Sequence, residues 1–202
     1  MKNMKIILGI ALFTATAVLA FAQYDPESDF RAEPMDGGRS VRIIGYTGDK
    51  WTIRIPPRIR DLPVTHIGDR AFKDNRNFIN VTIPNGVTSI GDGAFSGCTN
   101  LNNVTVPNSV TSIGQQAFSG CTSLNITWNY NPALTAENFK DYLKTVIIPN
   151  GVTTIRDEAF QQCSNLTSVT IPNSVTSIGW ETFADCSNLT NVTIPNSVTS
   201  SL

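Results

Sequence analysis

The sequence predicts a solenoid, a stack of coils of about 23 residues each, built mainly from short parallel β-strands joined by 3₁₀ turns and closed at its N-terminal end by a β-hairpin. Three observations predict it. One phrase recurs five times: VTIPNGVTSIG from Val81, VTVPNSVTSIG from Val104, VIIPNGVTTIR from Val146, VTIPNSVTSIG from Val169 and VTIPNSVTSSL from Val192. Phe72, Phe95, Phe118, Phe139, Phe160 and Phe183 keep the same beat, at intervals of 23, 23, 21, 21 and 23 residues. A fixed period in this range marks coils that stack on one another. Finally, one coil cannot stand alone: its few inward apolar side chains contribute about 2 kcal/mol each on burial, less than the cost of ordering its backbone. Each copy of the phrase is therefore the lateral partner of the next.

The first 22 residues have the form of a signal peptide. Lys2 and Lys5 precede an apolar run from Ile6 to Leu19, and Ala20-Phe21-Ala22 is a small-x-small cleavage site. The run is too short to anchor the mature chain, which implies export to a secreted, periplasmic or cell-surface location. Residues 23–40 carry no repeat and are expected to be a flexible segment. Removing Lys2 and Lys5 from the 15 basic residues leaves 13 against 16 acidic ones. That near-neutral balance excludes a nucleic-acid footprint and an acidic tail.

Within one coil, Leu166-x-x-Val169-x-Ile171 alternates at period two, the pattern of a strand with one covered face. Pro172 ends it, because proline fixes φ and offers no N–H to the ladder. A second extended piece, Val175 to Ile178, turns at Gly179. Ala159-Phe160-Gln161-Gln162-Cys163 is too short for an α-helix and reads as a single 3₁₀-type turn. The prolines Pro107 and Pro149 lie 42 residues apart, so the coil near 125–148 is four residues short. In it Ile126-Thr127-Trp128 stands for V-T-I and Phe139 keeps the phenylalanine slot.

The unit L-x-x-V-T-I-P-N-S-V-T-S-I-G-x-x-A-F-S-G-C-T-S closely resembles the 23-residue leucine-rich repeats of the BspA-like family of bacterial surface proteins, and the resemblance runs from Ile53 to the C-terminus. The flank before it is similar too. Val41 to Ile55 reads as two strands around Tyr46-Thr47-Gly48-Asp49-Lys50, so that 41–63 forms a capping hairpin and the start of a first coil lengthened by five residues, with the solenoid proper over 64–202. The resemblance implies a non-enzymatic secreted or cell-surface protein that attaches to host matrix or bacterial surface proteins; some relatives are linked to fibronectin or fibrinogen. At the other end Val198-Thr199-Ser200-Ser201-Leu202 stops where the next isoleucine is due, so no closing cap is expected. The last strand is expected to self-associate or fray.

Chemistry is sparse. Cys98, Cys121, Cys163 and Cys186 share one repeat position, read as buried small apolar residues; bridges Cys98–Cys121 and Cys163–Cys186 between adjacent coils are the alternative. Without histidine partners or CxxC spacing no metal is expected. His66, the one histidine, has no nucleophile or orienting carboxylate set around it, so no catalytic residue and no cofactor are assigned. If valine and isoleucine of V-T-I point inward, Thr82, Thr105, Thr170 and Thr193 form an outward, uncharged, hydrogen-bonding row. Trp128, Tyr130, Phe139 and Tyr142 gather where the repeat turns irregular, either to anchor a partner or to refill a thinner core. Trp180 occupies a turn position held elsewhere by Asp69, Asp92 and Gln115 and is expected to be exposed. Trp180, Tyr130, Tyr142 and the four threonines are thus the candidate partner-binding residues. The candidate functions are an adhesin-like protein-binding module, a self-assembling surface component, and a carbohydrate-active repeat protein.

Overall fold

The computed structural model describes residues 24–201, so the expected signal peptide and Leu202 lie outside the described residues. A 3₁₀ turn at Glu27–Asp29 leads into β1 (Phe30–Met35) and β2 (Ser40–Tyr46), followed by β3 (Thr52–Arg54), β4 (Arg58–Ile59) and β5 (Leu62–Ile67). Each later coil contributes a first and a second strand. These are β6 (Asn80–Thr82) and β7 (Ser89–Ile90), then β8 (Asn103–Val106) and β9 (Ser112–Ile113). The short coil has β10 (Asn125–Asn129) and a 3₁₀ turn at Lys140–Tyr142. Beyond it come β11 (Leu143–Ile147) with β12 (Thr154–Ile155), β13 (Ser168–Thr170) with β14 (Ser177–Ile178), and β15 (Asn191–Val192) with β16 (Ser200–Ser201).

The first strands form one continuous parallel seven-stranded sheet in the order β15-β13-β11-β10-β8-β6-β3. The second strands line the other side of the core, and there the sheet is split into β1-β2-β5-β7-β9 and β12-β14-β16. The alternation of V-T-I does what the pattern predicts: Val81, Val104 and Ile126 pair in one column and are buried, as are Ile83 and Val106.

The N-terminal hairpin lies elsewhere than expected. It consists of β1 and β2, antiparallel from Phe30↔Tyr46 to Met35↔Ser40, so residues 30–35 belong to a strand and not to a flexible segment. Its turn is Asp36-Gly37-Gly38, all at positive φ (54°, 68° and 87°), where glycine carries no Cβ penalty. β2 and β3 do not pair with each other. β2 runs parallel to β5 and β3 parallel to β6, placing them in different sheets. The added length of the first coil is a second small hairpin, β4 against β5, turning at Arg60 and Asp61 with φ of 52° and 62°. Asp25, buried, ties the start of the described chain to this coil: its carboxylate accepts Lys50 Nζ at 2.9 Å and the Arg54 N–H at 3.0 Å.

Between the second strand and the phenylalanine turn the coils approach too closely for any side chain. Asp69 Oδ1 accepts the Asp92 N–H at 2.9 Å, Asp92 Oδ1 the Gln115 N–H at 2.8 Å, and Asp157 Oδ1 the Trp180 N–H at 2.9 Å. A Cβ built on Gly114 would lie 2.3 Å from that Asp92 oxygen and 2.5 Å from the Asp92 backbone nitrogen; Gly91 and Gly179 are equally confined.

Aromatic stacking follows the period, then departs from it. Phe72, Phe95 and Phe118 stack nearly parallel, with centroids 5.0 and 5.5 Å apart, and Phe160–Phe183 resumes the stack at 5.6 Å. Phe160 does not continue the Phe118 column. Phe118 meets Tyr142 at 6.5 Å instead, while Trp128 stands edge-on to Phe139 at 5.3 Å and to Phe160 at 5.6 Å. The cause is the short coil, which has no second strand. Instead Asn138 Nδ2 donates to Ile113 O at 2.6 Å and Arg156 Nη2 to Leu134 O at 2.9 Å, spanning the gap in the second sheet. The first sheet closes by a register step: the β10–β11 pairing shifts between Ile126 and Thr127, aligning Thr127 with Thr145 and Trp128 with Val146.

All four cysteines are free thiols. The thiols of Cys98, Cys121 and Cys186 each donate to a phenylalanine carbonyl of the preceding coil, Phe72, Phe95 and Phe160, at 3.0 Å. Burial pushes Cys163 up to about 12, away from its reactive thiolate form. The expected result with an aromatic disulfide reagent at mildly alkaline pH is slow reaction of Cys98, Cys121 and Cys163 in the folded chain. In urea without reductant, four thiols per chain should react at once. Fewer than that would establish bridging.

Candidate interaction surface

The outward side of the seven-stranded sheet is the broadest regular surface of the molecule. Thr82, Thr105 and Thr127 are direct register partners, and so are Asn80, Asn103 and Asn125. The asparagines are partly consumed in holding one another: Asn103 Nδ2 donates to Asn80 Oδ1 at 2.9 Å, and Asn125 Nδ2 to Asn102 Oδ1 at 3.0 Å. Thr82 and Thr105 are exposed. Together the two rows present hydroxyl and amide groups without a charge.

The expected single row of threonines is two rows. Past the register step, Thr127 continues into Thr145 and Ser168, while Thr170 aligns with Ile147, which is exposed, and Thr193 follows just beyond β15. Thr170 and Thr193 are therefore offset by two positions from Thr82 and Thr105. Physically, β10 is long enough to serve both registers, and the short coil cannot carry the V-T-I frame across.

The candidate aromatic residues separate. Trp180 is 52% exposed in the turn after β14, away from the threonine rows. Tyr130 cannot meet a partner: it is buried, its ring 5.3 Å from Trp128 and 5.4 Å from Phe160, and its hydroxyl accepts the Arg156 N–H at 3.4 Å. Burial raises its phenol above the ordinary tyrosine value. Of the two readings of this cluster, Trp128, Tyr130 and Phe139 refill the core, because the missing second strand leaves a space only large rings occupy. Tyr142 is half-buried; burial, and then the neighbouring Cys121 and Asp141, raise its phenol.

Tyr142 lines a depression of about 450 Å³ along the edge where the first strands begin, with Ser123, Asn125, Lys144, Thr167 and Asn188. Ser123 also lines a second, open depression of about 490 Å³ formed with Trp51, Arg76, Asn77, Ile79, Asn100 and Asn102, so that the two lie side by side along the stack as one shallow groove. Asn100 Nδ2 to Arg76 O at 2.7 Å, Asn165 Nδ2 to Asp141 O and Asn188 Nδ2 to Ser164 O at 2.8 Å stitch one of its walls. Trp51 is 72% exposed at its N-terminal end. Sequence reasoning missed Trp51; aligning the residue before β3, β6, β8, β13 and β15, which is Trp51, Ile79, Asn102, Thr167 and Thr190, would have singled it out.

His66 Nδ1 lies 2.8 Å from Thr65 Oγ1, and no cluster of metal-ligating side chains exists among the described residues. No helix among the described residues is long and apolar enough to cross a membrane.

Comparison with known proteins supplies the lineage. The family described as BspA type leucine rich repeat region matches residues 65–138 and 135–201, in six copies. The chain is similar in structure to a T. pallidum leucine-rich repeat protein, with TM-score 0.58 and 28% identity over 83% of this chain and 80% of that one. It is similar to a leucine rich cell surface protein of Faecalibacterium prausnitzii A2-165, with TM-score 0.53 and 34% identity over 88% of this chain and 50% of that one. A Eubacterium ventriosum leucine-rich repeat protein shares the fold, with TM-score 0.50 and 21% identity over 89% of this chain and 50% of that one. The chain thus spans half the length of the last two. No curated protein matches it. Repeat unit, stacked coils and matched residues agree, and the chain belongs to the BspA-type leucine-rich repeat family.

Proposed function

We propose that this protein is a non-enzymatic, exported, adhesin-like binding module that attaches to host extracellular-matrix proteins or bacterial surface proteins through the outward face of its seven-stranded sheet. The observation that carries this reading is the pair of uncharged rows Thr82–Thr105–Thr127 and Asn80–Asn103–Asn125 at rung spacing. Such a face offers many weak, equivalent hydrogen bonds over a wide area, and area with good complementarity is what protein recognition needs. Trp180 is a separate aromatic anchor on the same reading. The signal-peptide form of residues 1–22 supports export.

Immobilised fibronectin and fibrinogen serve as probes. The double variant Thr82→Lys/Thr105→Lys is expected to lose binding at least about tenfold, since two unmatched charges would be desolvated in the contact, while its circular dichroism stays unchanged. Binding equal to the parent, in this variant and in Trp180→Ala alike, would count against the face and the anchor together.

A further inference from the structure

We infer that the groove beginning at Trp51 is a binding site for a neutral, extended glycan strand, with the Trp51 indole as its stacking platform. Trp51 is the most exposed of the large apolar side chains among the described residues. Its ring stacks on no other aromatic ring among the described residues, and its carbonyl accepts the Ile79 N–H at 2.6 Å. An indole left in water at the mouth of a groove is suited to the apolar C–H face of a sugar ring, which stacks on aromatic faces as other flat apolar groups do.

The remainder of the groove matches hydroxyl groups. Asn77, Asn100, Asn102 and Ser123 are neutral and can both donate and accept, and no carboxylate lines this part. Arg76 is its single charge, and past Ser123 one basic residue, Lys144, and one acidic residue, Asp141, line the continuation, so nothing selects a polyanion. The polar groups recur coil by coil at about 4.8 Å, and Ser123 lines both depressions. That geometry fits a polymer of repeating units better than a compact ligand.

An extended peptide is the competing occupant, and the backbone argues against it. Peptide strands are captured by unpaired main-chain edges. Along this groove the amides are spent: Ile79 N–H on Trp51 O, Asn102 N–H on Ile79 O at 2.7 Å, and Asn125 N–H on Asn102 O at 2.7 Å. A ligand can be read only by side chains and by the ring face. This site shares no residue with the threonine rows, and of the asparagine row only Asn125 lines its continuation, so substitutions at Trp51 and at the threonines test the two readings separately.

Titration calorimetry and tryptophan fluorescence with cellohexaose, chitohexaose, xylohexaose and laminarihexaose test it, with a heparin hexasaccharide and a proline-rich peptide alongside. At least one neutral hexasaccharide is expected to bind. Trp51→Ala should weaken it about tenfold, Trp51→Phe should retain most of the affinity, and Asn102→Ala should lose several-fold. Trp180→Ala and Thr82→Lys/Thr105→Lys should bind it as the parent does. Matching melting temperatures for parent and Trp51→Ala exclude misfolding as the cause. Binding by none of the four, equal binding by Trp51→Ala, or binding of heparin or peptide alone overturns the proposal.

Discussion

Trp128→Ala should divide the solenoid. The expected cost is about 3–5 kcal/mol, the range for removing a fully buried large aromatic side chain, and the expected form is the loss of a single cooperative transition. Trp128 packs the short coil against the C-terminal aromatic stack, touching Tyr130, Phe139 and Phe160, while the N-terminal stack ends at Phe118 against Tyr142. Its indole N–H is buried with no hydrogen-bond partner, so its contribution is packing alone. Trp128→Phe, which keeps a ring and removes that orphan donor, should cost much less. In a stack whose coils contact only their neighbours, weakening one interface lets the two sides melt separately. Urea unfolding followed by far-ultraviolet circular dichroism should show two steps for Trp128→Ala. One unsplit transition, displaced by less than about 1 kcal/mol, would show that the short coil is not the mechanical joint.

Gly114→Ala is the second large effect, expected at about 3 kcal/mol, the upper part of the range for overpacking. The added methyl meets Asp92 Oδ1 at 2.3 Å, Asp92 N at 2.5 Å and Gly91 C at 2.7 Å, and two of those three atoms are backbone. Asp92 is exposed and its side chain can swing away, but the main chain of the neighbouring coil cannot yield without parting the ladder. Asp92→Ala in the same chain should therefore fail to restore stability, though it removes the nearest clash. Full rescue by Asp92→Ala would locate the conflict in the side chain alone. Gly91→Ala and Gly179→Ala should behave alike, because the same aspartate rung confines each.

The repeat was legible wherever the phrase was intact. Val81, Val104 and Val169 stand inward because period-two alternation and Pro84, Pro107 and Pro172 leave no other arrangement. The N-terminal hairpin was misplaced because two turn signals compete, Asp36-Gly37-Gly38 and Gly48-Asp49, and Pro34 within β1 disguises an edge strand. Tyr130 looked available as an anchor because the proline that should end its strand is displaced to Pro132. The longer β10 then carries Tyr130 inward, which no local pattern reveals. The split of the threonine row was equally hidden: it depends on pairing between β10 and β11, a property of two coils jointly. Trp51 escaped notice because it precedes the first full copy of the phrase.

The two-residue slip at β10 also limits valence. A ligand can follow hydroxyls straight across from Thr82, Thr105 and Thr127 to Thr145 and Ser168, but Thr170 lies two residues along the strand from that line, about 6.6 Å away. A straight ligand that tracks the line therefore never reaches Thr170, and one that reaches it must bend. A surface that looks uniform from end to end behaves as two combs set side by side.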